Sequence, residues 1–212
     1  MQVEGFRYRS GVKKTHVKDF YFYKAKREKY SARSVYKLKN IQEKYKLISR
    51  GNRVLDLGAS PGSWTEYLVE LIGKTGLLVA LDERDLSITA KAKIKKRGCD
   101  FLFFQQSIFE PLPKKLAALQ FDCVVSDLAP LTSGPKLVDS ARSLELVNRA
   151  FDIAQAQLKV GGHFVVKLFQ SPDSVETAKS WEKAFKLAKL YKPPSTHKES
   201  KEIYFVGRHL LP

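Results

Sequence analysis

Sulfur-containing residues are scarce in this sequence of 212 residues, which has two cysteines and one methionine. The cysteines, Cys99 and Cys123, do not form a C-x-x-C pair. The sequence therefore argues against a disulfide framework and against a thiolate zinc site, and we expect no metal centre. This cysteine usage is typical of a reducing compartment, and we expect the protein to be cytoplasmic.

Long apolar runs are also missing, because the longest runs are only a few residues long. We therefore expect no segment to span a bilayer. The first residues, MQVEGFRYRSGVKK, contain no apolar core of a secretory signal. The chain has no G-x-G-x-x-G pattern, and no G-K-[ST] directly follows its glycine-rich turn at residues 58–62. These absences disfavour an NAD-type oxidoreductase and argue against a P-loop.

Positive charge is abundant and unevenly distributed. The chain has 38 basic and 22 acidic residues, a formal net charge of +16. Residues 1–50 hold 15 basic and 4 acidic residues, residues 51–177 hold 15 of each, and residues 178–212 hold 8 and 3. Excess charge at both ends of the sequence indicates a polyanionic partner, with RNA or DNA favoured over simple solubility. The sequence shows no long amphipathic basic helix, so a membrane surface is disfavoured as the partner.

Residues 1–30 form a basic, aromatic-rich arm, which we separate from a single domain over residues 31–212. The arm interleaves lysine and arginine with seven aromatic side chains: Phe6, Tyr8, Phe20, Tyr21, Phe22, Tyr23 and Tyr30. Aromatic side chains can stack on bases, and they can equally pack on the protein itself. The sequence leaves both alternatives open for each of them.

Hydrophobic periodicity predicts alternating helices and strands. Strands are predicted at residues 53–57, 77–81, 100–105, 121–126, 163–168, near 191, and at 202–206. Helices are predicted from residue 31 toward Gly51, and at residues 65–72, 85–97, 138–158 and 173–189. This alternation predicts an α/β domain with a mostly parallel, seven-stranded sheet and helices on both faces. The strands are almost continuously apolar, which is typical of a sheet covered on both sides.

A glycine-rich turn follows the first predicted strand. Gly58 and Gly62 allow a ligand to approach the backbone where the chain enters a helix. Asp82 ends the second strand, where a carboxylate can accept two ribose hydroxyls; it could also be an ordinary strand-end or capping acid. The turn offers few phosphate-binding groups, so a nucleoside-type cofactor such as S-adenosylmethionine fits it best.

Two charged residues end the fourth and fifth predicted strands. In a sheet of order 3-2-1-4-5, Asp127 and Lys167 open onto the same crevice as the glycine-rich turn. A lysine at the end of an apolar strand is costly unless it is paired. A neutral lysine can serve as a general base, whereas a strand-end ion pair is the purely structural alternative.

Several motifs, taken together, resemble the FtsJ/RrmJ family of ribose 2′-O-methyltransferases from about residue 17 to the end. The matching stretches are Ser31–Leu38, Asp56–Trp64, Val125–Pro130, Ser133-Gly134 with Asp139 and Arg142, Gly161–Gln170, Lys192-Pro193, and Ser200–Tyr204. The resemblance implies a Rossmann-like, S-adenosylmethionine-dependent methyltransferase fold. It further implies methyl transfer to a ribose 2′-hydroxyl of RNA.

The family carries a Lys-Asp-Lys-Glu tetrad, which maps onto Lys37, Asp127, Lys167 and Glu202. The resemblance implies that Lys167 accepts the hydroxyl proton and that Asp127 positions it. It implies that Lys37 and Glu202 orient the substrate ribose and the lysine. Contacts to the cofactor are implied for the following residues: Gly58, Gly62, Trp64, Asp82, Ser107 and Asp127.

The chain departs from the family at four places. Ser107 is the nearest match to an acid that contacts adenine, so this contact could instead use the backbone or Gln106. Leu131 replaces an asparagine, and Thr196-His197 replaces Ser-Arg. Residues 86–99 are longer and more basic than in short members. These changes leave the implied chemistry intact and can change which RNA is selected.

The resemblance favours a uridine of 23S ribosomal RNA in the large subunit as the target, and a monomeric enzyme. A tRNA ribose methyltransferase is the alternative within the same enzyme class. A non-catalytic ribosome-assembly factor is the alternative outside it, and the four filled tetrad positions disfavour it.

Overall fold

The structure is a computed structural model that describes residues 16–130 and 136–212. The basic segment before residue 16 lies outside the described residues, as do Leu131 and the Ser133-Gly134 pair. Within the described part, no helix combines the length and apolar content needed to cross a membrane.

Helices and strands alternate along most of the described chain. The helices are α1 (His16–Arg27), α2 (Val35–Tyr45), α3 (Ser63–Ile72), α4 (Ile88–Arg97), α5 (Lys114–Ala117), α6 (Lys136–Gln157) and α7 (Pro172–Glu182). The strands are β1 (Arg53–Leu57), β2 (Leu77–Asp82), β3 (Asp100–Gln105), β4 (Phe121–Ser126), β5 (Leu158–Phe169), β6 (Phe185–Tyr191) and β7 (Glu202–Leu210).

The seven strands form one sheet of order β3-β2-β1-β4-β5-β7-β6. All neighbours pair in parallel except β7, which runs antiparallel to β5 and β6. The predicted mostly parallel, seven-stranded sheet is therefore confirmed. The strand order reverses between β1 and β4, and a sheet of this kind opens a ligand crevice at the carboxyl ends of those two strands.

Two hydrophobic clusters cover the two faces of the sheet. Helices α2, α3 and α4 pack on one face, through residues such as Leu38, Leu68 and Ile94. Helices α5, α6 and α7 pack on the other, where Phe151 stacks on Trp181 with ring centroids 4.6 Å apart. Strand residues alternate between the clusters because successive side chains point to opposite faces of a strand.

The helix predicted over residues 173–189 is wrong beyond Glu182. Residues 185–191 form the edge strand β6, which pairs antiparallel with β7. Lysine, alanine and leucine in this stretch favour a helix locally, but pairing with β7 satisfies the backbone and buries Phe185. Gly207 permits this contact, because a Cβ at that position would lie 2.7 Å from the Phe185 ring. Strand β5 also begins earlier than predicted, at Leu158.

Part of the basic arm is helical, which the sequence did not predict. Helix α1 packs on the start of α2 through the buried side chain of Ala25, in a small cluster with Val35 and Tyr36. The Tyr21 ring contacts the Tyr36 ring in a tilted arrangement with centroids 5.2 Å apart, whereas Phe20 lies largely in solvent. Packing on the protein is therefore confirmed for Tyr21, and stacking of the exposed Phe20 on a base stays a prediction. A domain boundary after residue 30 stays a prediction.

Candidate active site

The glycine-rich turn between β1 and α3 is tied to the neighbouring strand β2. The Gly58 amide donates to the Leu81 carbonyl at 2.8 Å, and its φ of +80° is one that residues with a Cβ rarely adopt. A Cβ at Gly58 would lie 2.6 Å from the side chain of Leu128. The absence of a side chain thus lets the β4 end approach the turn and leaves the crevice between β1 and β4 open.

This crevice is a cavity of about 530 Å³ at the carboxyl edge of the sheet. Of the six residues predicted to contact the cofactor, Gly58, Asp82 and Asp127 line it. The other lining residues are Ser60, Leu81, Glu83, Arg84, Gln106, Ile108, Phe109, Leu128, Ala129, Pro130, Arg142, Glu145 and Leu146. The floor is polar where Asp82 and Asp127 lie, and the walls near Ile108 and Leu146 are apolar.

Asp82 is held rigidly at the end of β2. Its carboxylate accepts the Ser60 amide at 2.9 Å through Oδ2 and the Arg84 amide at 2.8 Å through Oδ1. The residue is 7% exposed. Each carboxylate oxygen retains a further acceptor site, so the fixed carboxylate can still accept hydroxyl groups from a ligand in the cavity.

Gly62, Trp64 and Ser107 do not line the cavity. Gly62 precedes α3 with φ +113°, and a Cβ there would lie 2.4 Å from the Ala90 side chain. The Trp64 indole NH donates to the Ser34 carbonyl at 2.9 Å, so this side chain anchors the start of α2. The Ser107 amide donates to Glu110 at 3.2 Å, while its neighbours Gln106 and Ile108 face the cavity.

Lys167 and Asp127 meet beside the cavity at the ends of β5 and β4. The Lys167 Nζ lies 3.2 Å from Asp127 Oδ1 and donates to the Asp127 carbonyl oxygen at 2.7 Å. Lys167 is 6% exposed, so its amino group has exchanged water for these two oxygens. Asp127 borders both the cavity and Lys167 and is the residue that joins the two halves of the site.

Lys37 and Glu202 form the second pair. The Lys37 Nζ donates to Glu202 Oε2 at 2.5 Å, across the gap between α2 and β7. Burial opposes ionisation of Glu202, but Lys37, together with Lys167 and Arg33, outweighs it and holds the pKa of this carboxyl below its ordinary value. Glu202 therefore stays ionised at neutral pH, between the two lysines.

The structure thus brings all four predicted tetrad residues to one place. Lys167 and Glu202 lie on the paired strands β5 and β7, and Asp127 follows the adjacent strand β4. Their distance in the sequence, up to 165 positions, is bridged by the parallel strand ends and by α2.

Tyr204 belongs to the same cluster, and the sequence analysis gave it no role. It lies directly opposite Lys167 in the β5–β7 register, and its hydroxyl donates to Asp127 Oδ1 at 2.9 Å. Its ring stacks on Trp64 at 5.9 Å. The spacing of two residues from Glu202 could have identified it, because alternate residues of a strand share one face.

Asp56 is a second residue that the sequence analysis left without a role. It is fully buried on β1, where Oδ2 accepts the Thr65 hydroxyl at 2.7 Å and Oδ1 has no hydrogen-bond partner among the described residues. Burial is the main cause that raises the pKa of this carboxyl to about 7, with Asp127 and Asp82 adding repulsion. The Asp56 carboxyl is therefore only partly ionised at neutral pH, so it adds less than a full negative charge beside Asp82 and Asp127.

Two further contacts fasten the β6–β7 loop to α2 and the segment before it. Arg33 Nη1 lies 2.8 Å from His197 Nε2, and the Ser195 amide donates to Asn40 Oδ1 at 3.2 Å. Arg33 must be the donor, because a guanidinium cannot accept a hydrogen bond. The His197 ring nitrogen accepts this hydrogen bond, which ties the β6–β7 loop to the segment before α2.

The sheet order and the crevice at its carboxyl edge define a Rossmann-like methyltransferase fold. The crystal structure of a ribosomal RNA methyltransferase from Plasmodium falciparum matches 86% of this chain and 99% of its own, with a TM-score of 0.70 and 23% identity. A SAM-dependent O-methyltransferase from Thermotoga maritima matches 82% of this chain and 66% of its own, with a TM-score of 0.58 and 14% identity. At these identities the likeness shows the fold alone.

The chain belongs to the FtsJ-like methyltransferase family, whose model matches residues 30–210. A relative from Syntrophobacter fumaroxidans is 42% identical over 197 residues, which cover 92% of this chain and 96% of the relative. A relative from Acinetobacter baumannii is 42% identical over 193 residues, covering 91% and 88%. Both relatives carry the name ribosomal RNA large subunit methyltransferase E. The resemblance predicted from the motifs is confirmed.

Proposed function

We propose that this methyltransferase moves a methyl group from S-adenosylmethionine to a ribose 2′-hydroxyl of large-subunit ribosomal RNA, with a uridine of 23S RNA as the target. The observation that carries the proposal is the meeting of Lys37, Asp127, Lys167 and Glu202 beside a cavity of ligand size. The names of the relatives support the choice of RNA. The same proposal covers a monomer that acts in the cytoplasm.

The cavity fits S-adenosylmethionine on chemical grounds. Its volume falls within the range of about 300–1,000 Å³ that is usual for small-molecule pockets. Asp82 offers fixed acceptor oxygens for the ribose hydroxyls of the cofactor, and Ile108 with Leu146 offers apolar surface for a base. When bound, the cofactor supplies an electrophilic methyl group. Gly62 and Trp64 also set the starts of α3 and α2, and direct contacts of Gly62, Trp64 and Ser107 with the cofactor stay predictions.

Lys167 is the proposed general base. In its neutral form the amine accepts the proton of the ribose hydroxyl: the O–H bond breaks, an N–H bond forms, and the ribose oxygen becomes the nucleophile. The resulting ammonium is stabilised where it lies, because the Asp127 carbonyl and carboxylate oxygens both accept from Nζ. Tyr204 fixes that carboxylate by donating to Oδ1.

Lys37 and Glu202 are the proposed residues that orient the substrate. Glu202 carries a full charge between two lysines and can accept a hydrogen bond from a ribose hydroxyl. Lys37 fixes it in place from α2. A hydroxyl held between Glu202 and Lys167 is oriented before reaction, and orientation of this kind removes much of the entropic barrier to transfer.

The test uses the unaltered protein and tritiated S-adenosylmethionine, with large ribosomal subunits and bulk tRNA from a strain that lacks the methylation. We expect label in the large-subunit RNA and in an alkali-resistant dinucleotide, because a 2′-O-methyl group blocks alkaline cleavage at that ribose. Label confined to tRNA would move the target to tRNA. An RNA-binding protein that transfers no methyl to either substrate would instead be a non-catalytic assembly factor.

A further inference from the structure

The two helical layers of the molecule differ in charge. Helices α1 to α4, with α1 packed on the outside of α2, contain twelve basic and four acidic residues. Helices α5 to α7 on the opposite face contain six of each. The positive excess in the helices is therefore confined to one side of the sheet. A polyanion drawn to this molecule meets that side preferentially.

Helix α4 is the most basic element of this layer. Its sequence, ITAKAKIKKR, has five basic residues, no acid and no aromatic side chain. Two of the five pair with acids of α3: Lys93 with the buried Glu66 at 2.9 Å, and the exposed Arg97 with Glu70 at 3.3 Å. These acids neutralise the inner face of the helix and leave its outer face positive.

The outer face of α4 carries charge without partners. Lys91 pairs with the exposed Asp85, but within the described residues no acid pairs with Lys95 or Lys96, which both lie in solvent. Adjacent lysines in the last turn add to each other's potential, and only the helix dipole favours them there. Such a pair is a ready site for a phosphate backbone.

Helix α4 is continuous with the active-site edge at one end and with the arm at the other. The Ser87 amide, just before α4, donates to Pro61 in the glycine-rich turn at 3.0 Å. Further along, the Lys93 ammonium lies 3.8 Å from the centre of the Tyr30 ring, and the Tyr30 hydroxyl donates to Glu70 at 2.9 Å. Helix α4 therefore lies between the glycine-rich turn and Tyr30, the last residue of the arm.

We infer that the outer face of α4, centred on Lys95 and Lys96, is a docking surface for the phosphate backbone of a helical RNA segment that flanks the target nucleotide. This inference rests on the proposed function. Lys95 lies roughly two helical turns, about 11 Å, beyond Ser87, so the contact is separate from the ribose site. Lysine ammonium groups bind phosphates as point charges, and without an aromatic side chain α4 has no surface on which bases stack. The contact therefore adds affinity and orientation without reading sequence.

The test compares two matched charge reversals, Lys95→Glu with Lys96→Glu on α4, and Lys114→Glu with Lys115→Glu on α5. Both pairs are adjacent, exposed lysines on short helices, and they lie on opposite faces of the sheet. The probes are a fluorescently labelled RNA hairpin and a labelled oligouridine, and the dissociation constants are measured between 0.05 and about 0.3 M salt. Lys95→Gln with Lys96→Gln removes the charge without an added repulsion, and thermal unfolding checks each variant.

We expect the α4 reversal to weaken hairpin binding roughly tenfold or more at about 0.1 M salt and to lower the salt slope by about 1 to 2. The α5 reversal leaves hairpin binding within about twofold. Equal loss from both reversals, or loss from neither, would overturn the inference, and equal loss on hairpin and oligouridine would overturn the helical segment as the ligand. The binding readout needs no methyl transfer, so it remains decisive even if the proposed function fails.

Discussion

Lys37 and Glu202 stand 165 positions apart in the chain, yet the lysine Nζ lies 2.5 Å from the glutamate Oε2. Lys37 lies on α2, at the start of the family domain, and Glu202 begins β7, the last strand. The proposed substrate-orienting pair therefore forms only after both ends of the domain have packed against the sheet. Completion of the fold and assembly of the site are one event.

Burial has the largest effect on the pKa of the Glu202 carboxyl and raises it, and Lys37 has the next largest and lowers it. Replacing Lys37 with Met removes that positive charge. The pKa of the Glu202 carboxyl then rises. We expect the NMR titration of the Glu202 carboxyl to move to higher pH, with a rate loss of at least about tenfold at neutral pH. In the parent protein the Glu202 carboxyl has a lower pKa in the folded state than in the unfolded state. It therefore stabilises the fold above its unfolded pKa, and this stabilisation is lost as the pH falls through its folded pKa.

Lys39→Met is the control for this variant, since Lys39 lies on the same helix and pairs with Glu28 at 3.1 Å, away from the site. It should leave the Glu202 titration and the rate unchanged. An unshifted Glu202 titration in the Lys37 variant would show that Lys37 does not hold the pKa of this carboxyl down.

Replacing Tyr204 with Phe removes the hydroxyl that donates to Asp127 and leaves the ring stacked on Trp64. We expect a several-fold to tenfold fall in kcat with little change in the dissociation constant of S-adenosylmethionine, because Asp127 keeps its place beside the cavity but loses one fixed partner. The loss of one hydrogen bond costs about 1 kcal/mol of stability. Tyr191→Phe on β6 is the matched control, and an equal effect there would remove the special role of Tyr204.

The buried Asp56 gives a prediction about stability and pH. Its carboxyl has an ordinary pKa of 3.8 when unfolded and about 7 when folded, chiefly because of burial. Between these values the unfolded state holds fewer protons than the folded state, so this group lowers stability as pH rises through the window. Asp56→Asn removes that dependence and can still accept from Thr65. We expect the variant to gain stability relative to the parent by up to about 1.4 kcal/mol per pH unit from pH 4 to 7.

The control for Asp56 is Asp122→Asn. Burial raises the pKa of Asp122, but the Arg53 amide and Lys159 outweigh burial and lower it. The pKa shift of Asp122 is therefore opposite in direction to that of Asp56. The Asp122→Asn variant should lose stability at neutral pH relative to the parent. Thermal midpoints in matched buffers measure both; a parallel pH dependence for the parent and the Asp56 variant would contradict the account.

The basic residues at the end of α1 are expected to bind RNA. Lys24, Lys26 and Arg27 occupy the last turn of the helix, on the positive layer of the molecule. Replacing all three with Gln should weaken RNA binding and reduce its salt dependence, because fewer counterions are released from the RNA. Lys114, Lys115 and Lys179 on the opposite layer provide a control with the same loss of charge. A salt slope that matches the parent would count against the arm as an RNA contact.

The strand positions could be predicted because each strand is an apolar run, and the sheet order could be predicted from the alternation of strands and helices. Asp127 and Lys167 follow apolar strands, and parallel strands bring their carboxyl ends to one edge. The meeting of Lys37 with Glu202 could not be derived in this way, because it depends on how α2 and an antiparallel strand pack. Only the resemblance to a family predicted it.

Local helix propensity gave a wrong prediction where strand pairing determines the secondary structure. Residues 185–189 read as a helix, and the contact of Phe185 with Gly207 makes them a strand. Tyr204 was missed because its role depends on register: it faces Lys167 only in the antiparallel pairing of β5 with β7. Gly62 and Trp64 lie against Ala90 and the Ser34 carbonyl, and their contact with the cofactor stays a prediction.

The central claim is that Lys167 takes the proton of the ribose hydroxyl. The most direct measurement compares Lys167→Ala with Lys159→Ala. Lys159 lies at the opposite end of β5 from Lys167 and pairs with Asp122. Single-turnover methyl transfer to large ribosomal subunits is measured beside the dissociation constant of S-adenosylmethionine. We expect only the Lys167 variant to lose transfer, by at least about 100-fold, with cofactor binding within a few-fold of the parent. Transfer that persists at the parent rate without Lys167 would contradict it.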